Sequence, residues 1–296
     1  MGLVDYSSSD DEDNTEAKKT LPVKSHARET LPPLPRAFHD LYAATVRNAT
    51  SDDPSLHQGR HRAIPHVAGQ WPSHLYIEWF PSTSEHAQLT RLLASLGDAL
   101  GQDAFHSFLT SDLGAPLPLH ISLSRPFVLT TANKAGFLAH ITASIASSGV
   151  ARFGVAVTGL DWFRSPDSAR AFLVLRAAVH DAQTPNQPLV KLLQRCNEQV
   201  TAVGQPALYA KSGSSDDDDG HGAASAFHVS VAWTLAADLA AWADTTQQVY
   251  EKWKLASDVK SPLHIPVESI KAKIGNMVTD IPLRKAGVSA SSRTKV

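Results

Sequence analysis

Two tripeptides carry residue types able to move protons at phosphorus: His120-Ile121-Ser122 and His228-Val229-Ser230. Each lies in a stretch of alternating apolar and polar residues. Over 117–124, Leu119, Ile121 and Leu123 fall on one side of an extended chain and His120, Ser122 and Ser124 on the other; over 227–233, Phe227, Val229 and Val231 oppose His228 and Ser230. Strand side chains alternate with a period of two, so a histidine and a serine two positions apart share a face. If the two strands lie side by side in a cleft, two imidazoles and two hydroxyls converge. That set suits cleavage of a phosphodiester next to a 2′-hydroxyl. A neutral imidazole takes the 2′-OH proton and an imidazolium gives one to the departing 5′ oxygen; an ordinary histidine pKa of about 6.5 lets both forms coexist near neutrality. The serine hydroxyls can donate to the nonbridging oxygens as charge builds on them. No metal or other cofactor is called for, because RNA brings its own nucleophile.

The bare tripeptide carries little weight. With 14 histidines and serine at about a tenth of the chain, chance supplies about one His-x-Ser. His140-Ile141-Thr142 is the control: it falls in a helical pattern, where residues two apart do not share a face. The signal is the pair of alternating strands.

The elements that must position them follow from periodicity. Strands are expected at 73–80, 117–124, 151–157, 171–177 and 227–233. Ser82 and Glu85 form a capping box before a helix lined by Leu89, Leu92, Leu93, Leu96 and Leu100. Further helices are expected at 133–147, at 188–203 with Gly204 as its stop, and at 235–254 with Leu235, Leu239, Trp242, Val249 and Trp253 along one side. Gly275-Asn276 between 270–274 and 277–283 is a hairpin signal. Strands interrupted by long helices without strict alternation point to an α+β fold. A helix followed by a His-x-Ser strand in each half suggests two lobes.

Of the 296 residues, 43% are hydrophobic. The domain is expected at 65–284. Residues 1–64 form an acidic and Pro-rich tail expected to be disordered, as are 285–296 and an acidic insertion at 212–226. The remaining ~220 residues suffice for one sizeable core or two small lobes. A formal net charge of −2 gives no overall basic signature, yet local fields guide charged ligands regardless of the total. The single cysteine, Cys196, precludes an intramolecular disulfide and a thiolate-rich zinc site. His221 beside Asp216–Asp219 is taken as part of a solvated acidic loop, not a metal site. No stretch approaches the ~20 apolar residues of a membrane span, and the acidic N-terminus lacks the parts of a signal peptide. A soluble nuclear or cytosolic monomer is expected.

LHISLSRP and FHVSVAW resemble the paired H-x-S/T motifs of the two-histidine (2H) phosphoesterase superfamily, and more closely its U6 small nuclear RNA phosphodiesterase family. PHVAGQWPSHLYIEW at 65–79, RAFLVLRA at 170–177, PALYA at 206–210, IKAKIGNMVTDIPL at 270–283 and the N-terminal LVDYSSSDDE are similar to further segments of that family. The resemblance implies two α+β lobes, with antiparallel sheets, about a pseudo-twofold cleft. It implies a nuclear enzyme that trims the oligouridine 3′ end of U6 small nuclear RNA in the 3′-to-5′ direction and leaves a 2′,3′-cyclic phosphate, which some fungal members then open. It carries the general base onto His228, the general acid onto His120 and phosphate-binding hydroxyls onto Ser122 and Ser230. It makes Tyr209 the base-stacking aromatic, at an unusually long separation from His228. Arg125, Lys211, Lys271 and Lys273 are candidate contacts to the RNA backbone; Lys271 and Lys273 share one strand face. Two alternatives stand beside this: a phosphodiesterase acting on small 2′,3′-cyclic nucleotides or tRNA-splicing products, and a non-catalytic RNA-binding module.

Overall fold

The computed structural model describes residues 67–101, 104–165, 168–179, 186–209, 226–236, 238–256 and 263–285. The expected N-terminal tail, Lys211, residues 212–225 with His221, and the chain end after 285 lie outside the described residues; of the expected insertion, only Ala226 is described, just before a strand.

Among the described residues ten strands join into one sheet. They are β1 (Gln70–Trp79), β2 (His106–Ser107), β3 (Leu119–Ser122), β4 (Phe127–Thr130), β5 (Phe153–Arg164), β6 (Ala171–Ala178), β7 (His228–Thr234), β8 (His264–Val267), β9 (Ser269–Ile274) and β10 (Met277–Pro282). The order is β10-β9-β1-β3-β7-β6-β5-β8, with β4 on β1 and β2 on β7. Every strand pair is antiparallel. The two expected lobes are thus halves of one sheet, four path strands each, meeting where β3 pairs β7.

Among the described residues four helices supply the cover: α1 (Thr83–Leu100), α2 (Lys134–Ser147), α3 (Gln187–Ala202) and α4 (Ala240–Leu255). At the start of α1, Ser82 Oγ accepts from the Glu85 amide at 3.3 Å and the Glu85 carboxylate accepts from the Ser82 amide at 2.8 Å. Caps of this kind stabilise a helix by about 0.5–2 kcal/mol. Leu89, Leu92, Leu93 and Leu96 of α1 and Leu189, Leu192, Leu193, Cys196 and Val200 of α3 are buried, one helical face each. They join Leu75, Ile77 and Trp79 of β1, Ile121 of β3 and Val229 and Val231 of β7 in one core. The same period-two alternation turns the polar residues of these strands to the opposite, cleft-facing side.

Several elements depart from what periodicity predicts. α4 starts at Ala240, not 235, and Leu235 is 57% exposed. Thr234 Oγ1 accepts from the Ala236 amide, and Asp238 Oδ1 accepts from the Ala241 amide three residues on. These side-chain contacts occupy the amides of Ala236 and Ala241 just before and just inside the start of the helix. β5 runs on past 157 to Arg164, across a register shift between Val157 and Gly159. β8 escapes the sequence reading because Pro266 sits within it; β8 lies at the end of the sheet, where a missing amide costs no ladder bond. Ser124 does not share the face of His120. After Ser122 the chain bulges, the amides of Leu123 and Ser124 both donate to the Leu75 carbonyl, and the buried Ser124 hydroxyl accepts from the Leu75 amide at 2.9 Å.

Candidate active site

The registered pair joining β3 to β7 is Ile121↔Val229. One step to either side of an antiparallel pair places His120 across from Ser230, and Ser122 across from His228. Directly opposed residues have Cα atoms roughly 4.5–5.5 Å apart. The two histidines are diagonal neighbours, at roughly 7–8 Å. A local twofold axis through the Ile121–Val229 pair exchanges the two His-x-Ser strands. The four side chains the sequence singled out therefore share one face at the middle of the sheet, each imidazole beside the other strand's hydroxyl. His140, the control, is exposed on helix α2.

The two histidines have different surroundings. His228 pairs in register with Arg176 of β6, which is ion-paired to Asp161 of β5. Its Nδ1 lies 2.7 Å from the Ala226 carbonyl oxygen, and the Phe163 ring stands 5.6 Å from its own. A carbonyl only accepts, so Nδ1 bears the hydrogen and Nε2 of the neutral ring has the free lone pair. Burial lowers the His228 pKa, the Ala226 contact works against that, and Arg176 lowers it further.

His120 pairs in register with Glu78 of β1. The rings of His74 and Tyr76 approach it edge-on, at 5.4 and 5.5 Å, and stack on each other at 5.2 Å. Burial first, then the charges of His228 and Lys273, lower the His120 pKa. Burial and His120 push His74 down to about 3, so it is neutral near pH 7.

Comparisons with known proteins place the chain in a family. A family model described as HVSL, an uncharacterised conserved protein, matches residues 32–282. The chain is 37% identical over 306 residues to U6 snRNA phosphodiesterase 1 of Neurospora crassa, covering 93% of this chain and 81% of that one. The chain belongs to the U6 snRNA phosphodiesterase 1 family. The family's human member is 24% identical over 291 residues, covering 95% of this chain and 98% of its own. The structure of Kluyveromyces marxianus Usb1 with uridine monophosphate shares the fold, with TM-score 0.50 and 17% identity over 72% of this chain and 98% of that one.

On the U6 snRNA phosphodiesterase fold of this chain, the weaker candidates separate. Lys271 and Lys273 do share the cleft face of β9, pairing in register with Tyr76 and His74. Lys271 is engaged by carboxylates, 3.1 Å from Asp280 and 3.7 Å from Glu78. Burial opposes its charge, but Asp280 and Glu78 outweigh it and raise its pKa. Lys273 is exposed and its charge acts on both His74 and His120. Arg125 lies in the turn between β3 and β4, off both histidine strands. Tyr209 ends the segment after α3; its ring meets Phe227 edge-on at 6.1 Å and its hydroxyl donates to the Ala226 carbonyl at 3.1 Å. Sequence reasoning missed His74, Arg176 and Phe163. His74 and Arg176 sit on expected strands at cleft-facing positions, so periodicity offered a signal; Phe163 lies beyond the expected end of β5 and offered none.

Proposed function

We propose that this chain is a metal-independent 3′-to-5′ RNA phosphodiesterase that trims the oligouridine 3′ end of U6 small nuclear RNA in the nucleus, acting as a monomer. The observation that carries the reading is the register that sets each imidazole beside the other strand's serine. In-line displacement needs a base and an acid on opposite sides of phosphorus, and two diagonal histidines flanking one phosphate meet that need.

His228 Nε2 takes the proton of the penultimate nucleotide's 2′-OH. The 2′ oxygen bonds to phosphorus, and the bond from phosphorus to the terminal nucleoside's 5′ oxygen breaks. His120 supplies the proton to that oxygen. Ser122 and Ser230 donate to the nonbridging oxygens, where donors count most in the transition state. The products are a free terminal nucleoside and an RNA ending in a 2′,3′-cyclic phosphate. Proton exchange with solvent, or ring opening with the two roles exchanged, resets the histidines. Lys273 steadies the backbone of the incoming strand.

Uridine-tailed RNA incubated with the protein in EDTA is expected to shorten from its 3′ end, with mass analysis showing cyclic phosphate termini. His120→Ala and His228→Ala should each slow this by roughly 10²–10⁴-fold, and a 2′-deoxy sugar at the scissile nucleotide should stop it. Shortening at an undiminished rate in either variant, or any shortening past the deoxy sugar, defeats the proposal.

A further inference from the structure

Two donors converge on one carbonyl beside the cleft. The Ala226 oxygen receives His228 Nδ1–H at 2.7 Å and the Tyr209 hydroxyl at 3.1 Å. A carbonyl oxygen has two lone pairs, and these two contacts engage both. This oxygen selects the tautomer of His228, yet its residue comes two places before β7 proper begins. Held by His228 alone, it would be positioned by the ring it has to orient. Tyr209 gives it an independent anchor.

That anchor is itself tied to the helical layer. Asn197 of α3 donates from Nδ2 to the Leu208 carbonyl at 3.0 Å and accepts from the Leu208 amide at 2.9 Å. The clamp ends one residue before Tyr209, whose φ is +58°. A bulky side chain in the left-handed region is strained, and such strain persists where surrounding contacts over-determine it. Here those contacts are the Asn197 clamp, the edge-on packing against Phe227, which is 1% exposed, and the hydroxyl bond itself.

We propose that Tyr209 is a positioning residue for His228: through the Ala226 carbonyl, its hydroxyl holds the imidazole in the Nδ1–H tautomer that leaves Nε2 free to accept a proton. The inference rests on the reading of His228 as the base, and it gives the hydroxyl a task separate from any stacking by the ring. Tyr209→Phe isolates it, since the ring and its packing remain and only the hydroxyl goes.

Three measurements on the full chain test this. In Tyr209→Phe, kcat on uridine-tailed RNA is expected to fall about three- to tenfold, the scale of one hydrogen bond. KM is expected to stay unchanged. The ring nitrogen resonances of His228, recorded without RNA, should move from a single Nδ1–H tautomer towards a mixture of the two. Unaltered His228 resonances overturn the proposal whatever happens to kcat, and a raised KM with unchanged kcat overturns it in favour of a direct contact between the hydroxyl and the RNA. Because the resonances are read without substrate, failure here is distinct from failure of the base assignment, which full activity in His228→Ala would reveal.

Discussion

His228 faces Arg176 across β6, whereas His120 faces Glu78 across β1. The pseudo-twofold thus relates a guanidinium to a carboxylate, and two similar histidines stand in different fields. Arg176 disfavours a second positive charge on His228, which suits a base that must start neutral. Burial and neighbouring cations lower both pKa values from 6.5 in the free protein. His228 is neutral above its pKa and His120 protonated below its own, so the two correct forms overlap most on the acid side of 6.5. We expect kcat/KM to peak below pH 6.5 and to decline as pH rises through 7. A bound phosphodiester anion favours imidazolium, so kcat should peak at a higher pH than kcat/KM. Parallel pH–rate profiles check this, and a kcat/KM still climbing at pH 8 contradicts it. At this scale the four candidate groups were legible, because each His-x-Ser lies in an alternating apolar strand pattern that His140 lacks. Arg176 and His74 were legible only as cleft-facing positions and Phe163 not at all, since what faces a residue across a sheet depends on strand pairing.

The strands that place these groups were legible where alternation runs long enough to repeat, as in β1, β3, β6 and β7. It fails for β2, only two residues long, and for β8, where a proline masks an edge strand. The β9–β10 hairpin was marked by its turn residues, and the structure gives the reason. Gly275 has φ +61°, its amide donates to the Pro72 carbonyl at 2.8 Å, and a Cβ there would come 2.7 Å from the Trp71 ring. Gly275→Ala therefore meets both left-handed strain and a packed indole, itself under the Lys134 ammonium at 3.4 Å. The expected loss of stability is about 1–3 kcal/mol, measured by urea unfolding. β9 also carries Lys273 to the cleft, so a shift of the hairpin should appear as a raised KM with little change in kcat. Unchanged stability would mean that the Trp71 ring gives way freely.

Across the whole molecule, the least legible fact was that residues 120 and 228 meet at all. Nothing local to either strand specifies its partner; one continuous core does, by covering the sheet with helices on the face away from the histidines. Charge shows the same gap between chain and fold. A formal net charge of −2 suggests no affinity for a polyanion, but folding pairs Lys271 with Glu78 and Asp280 and leaves Lys273 exposed on the cleft face. RNA binding should then weaken with salt in proportion to the phosphates contacted, at about 0.7 in log–log slope for each on a single strand. For an oligouridine carrying a 2′-deoxy sugar at the scissile position, Lys273→Met is expected to make that slope shallower by about 0.7. Lys271→Met should leave the slope unchanged and lower stability instead, since it strands two carboxylates. Titrations at several salt concentrations separate the two lysines, and equal slopes in both variants and the parent would remove Lys273 from the RNA path.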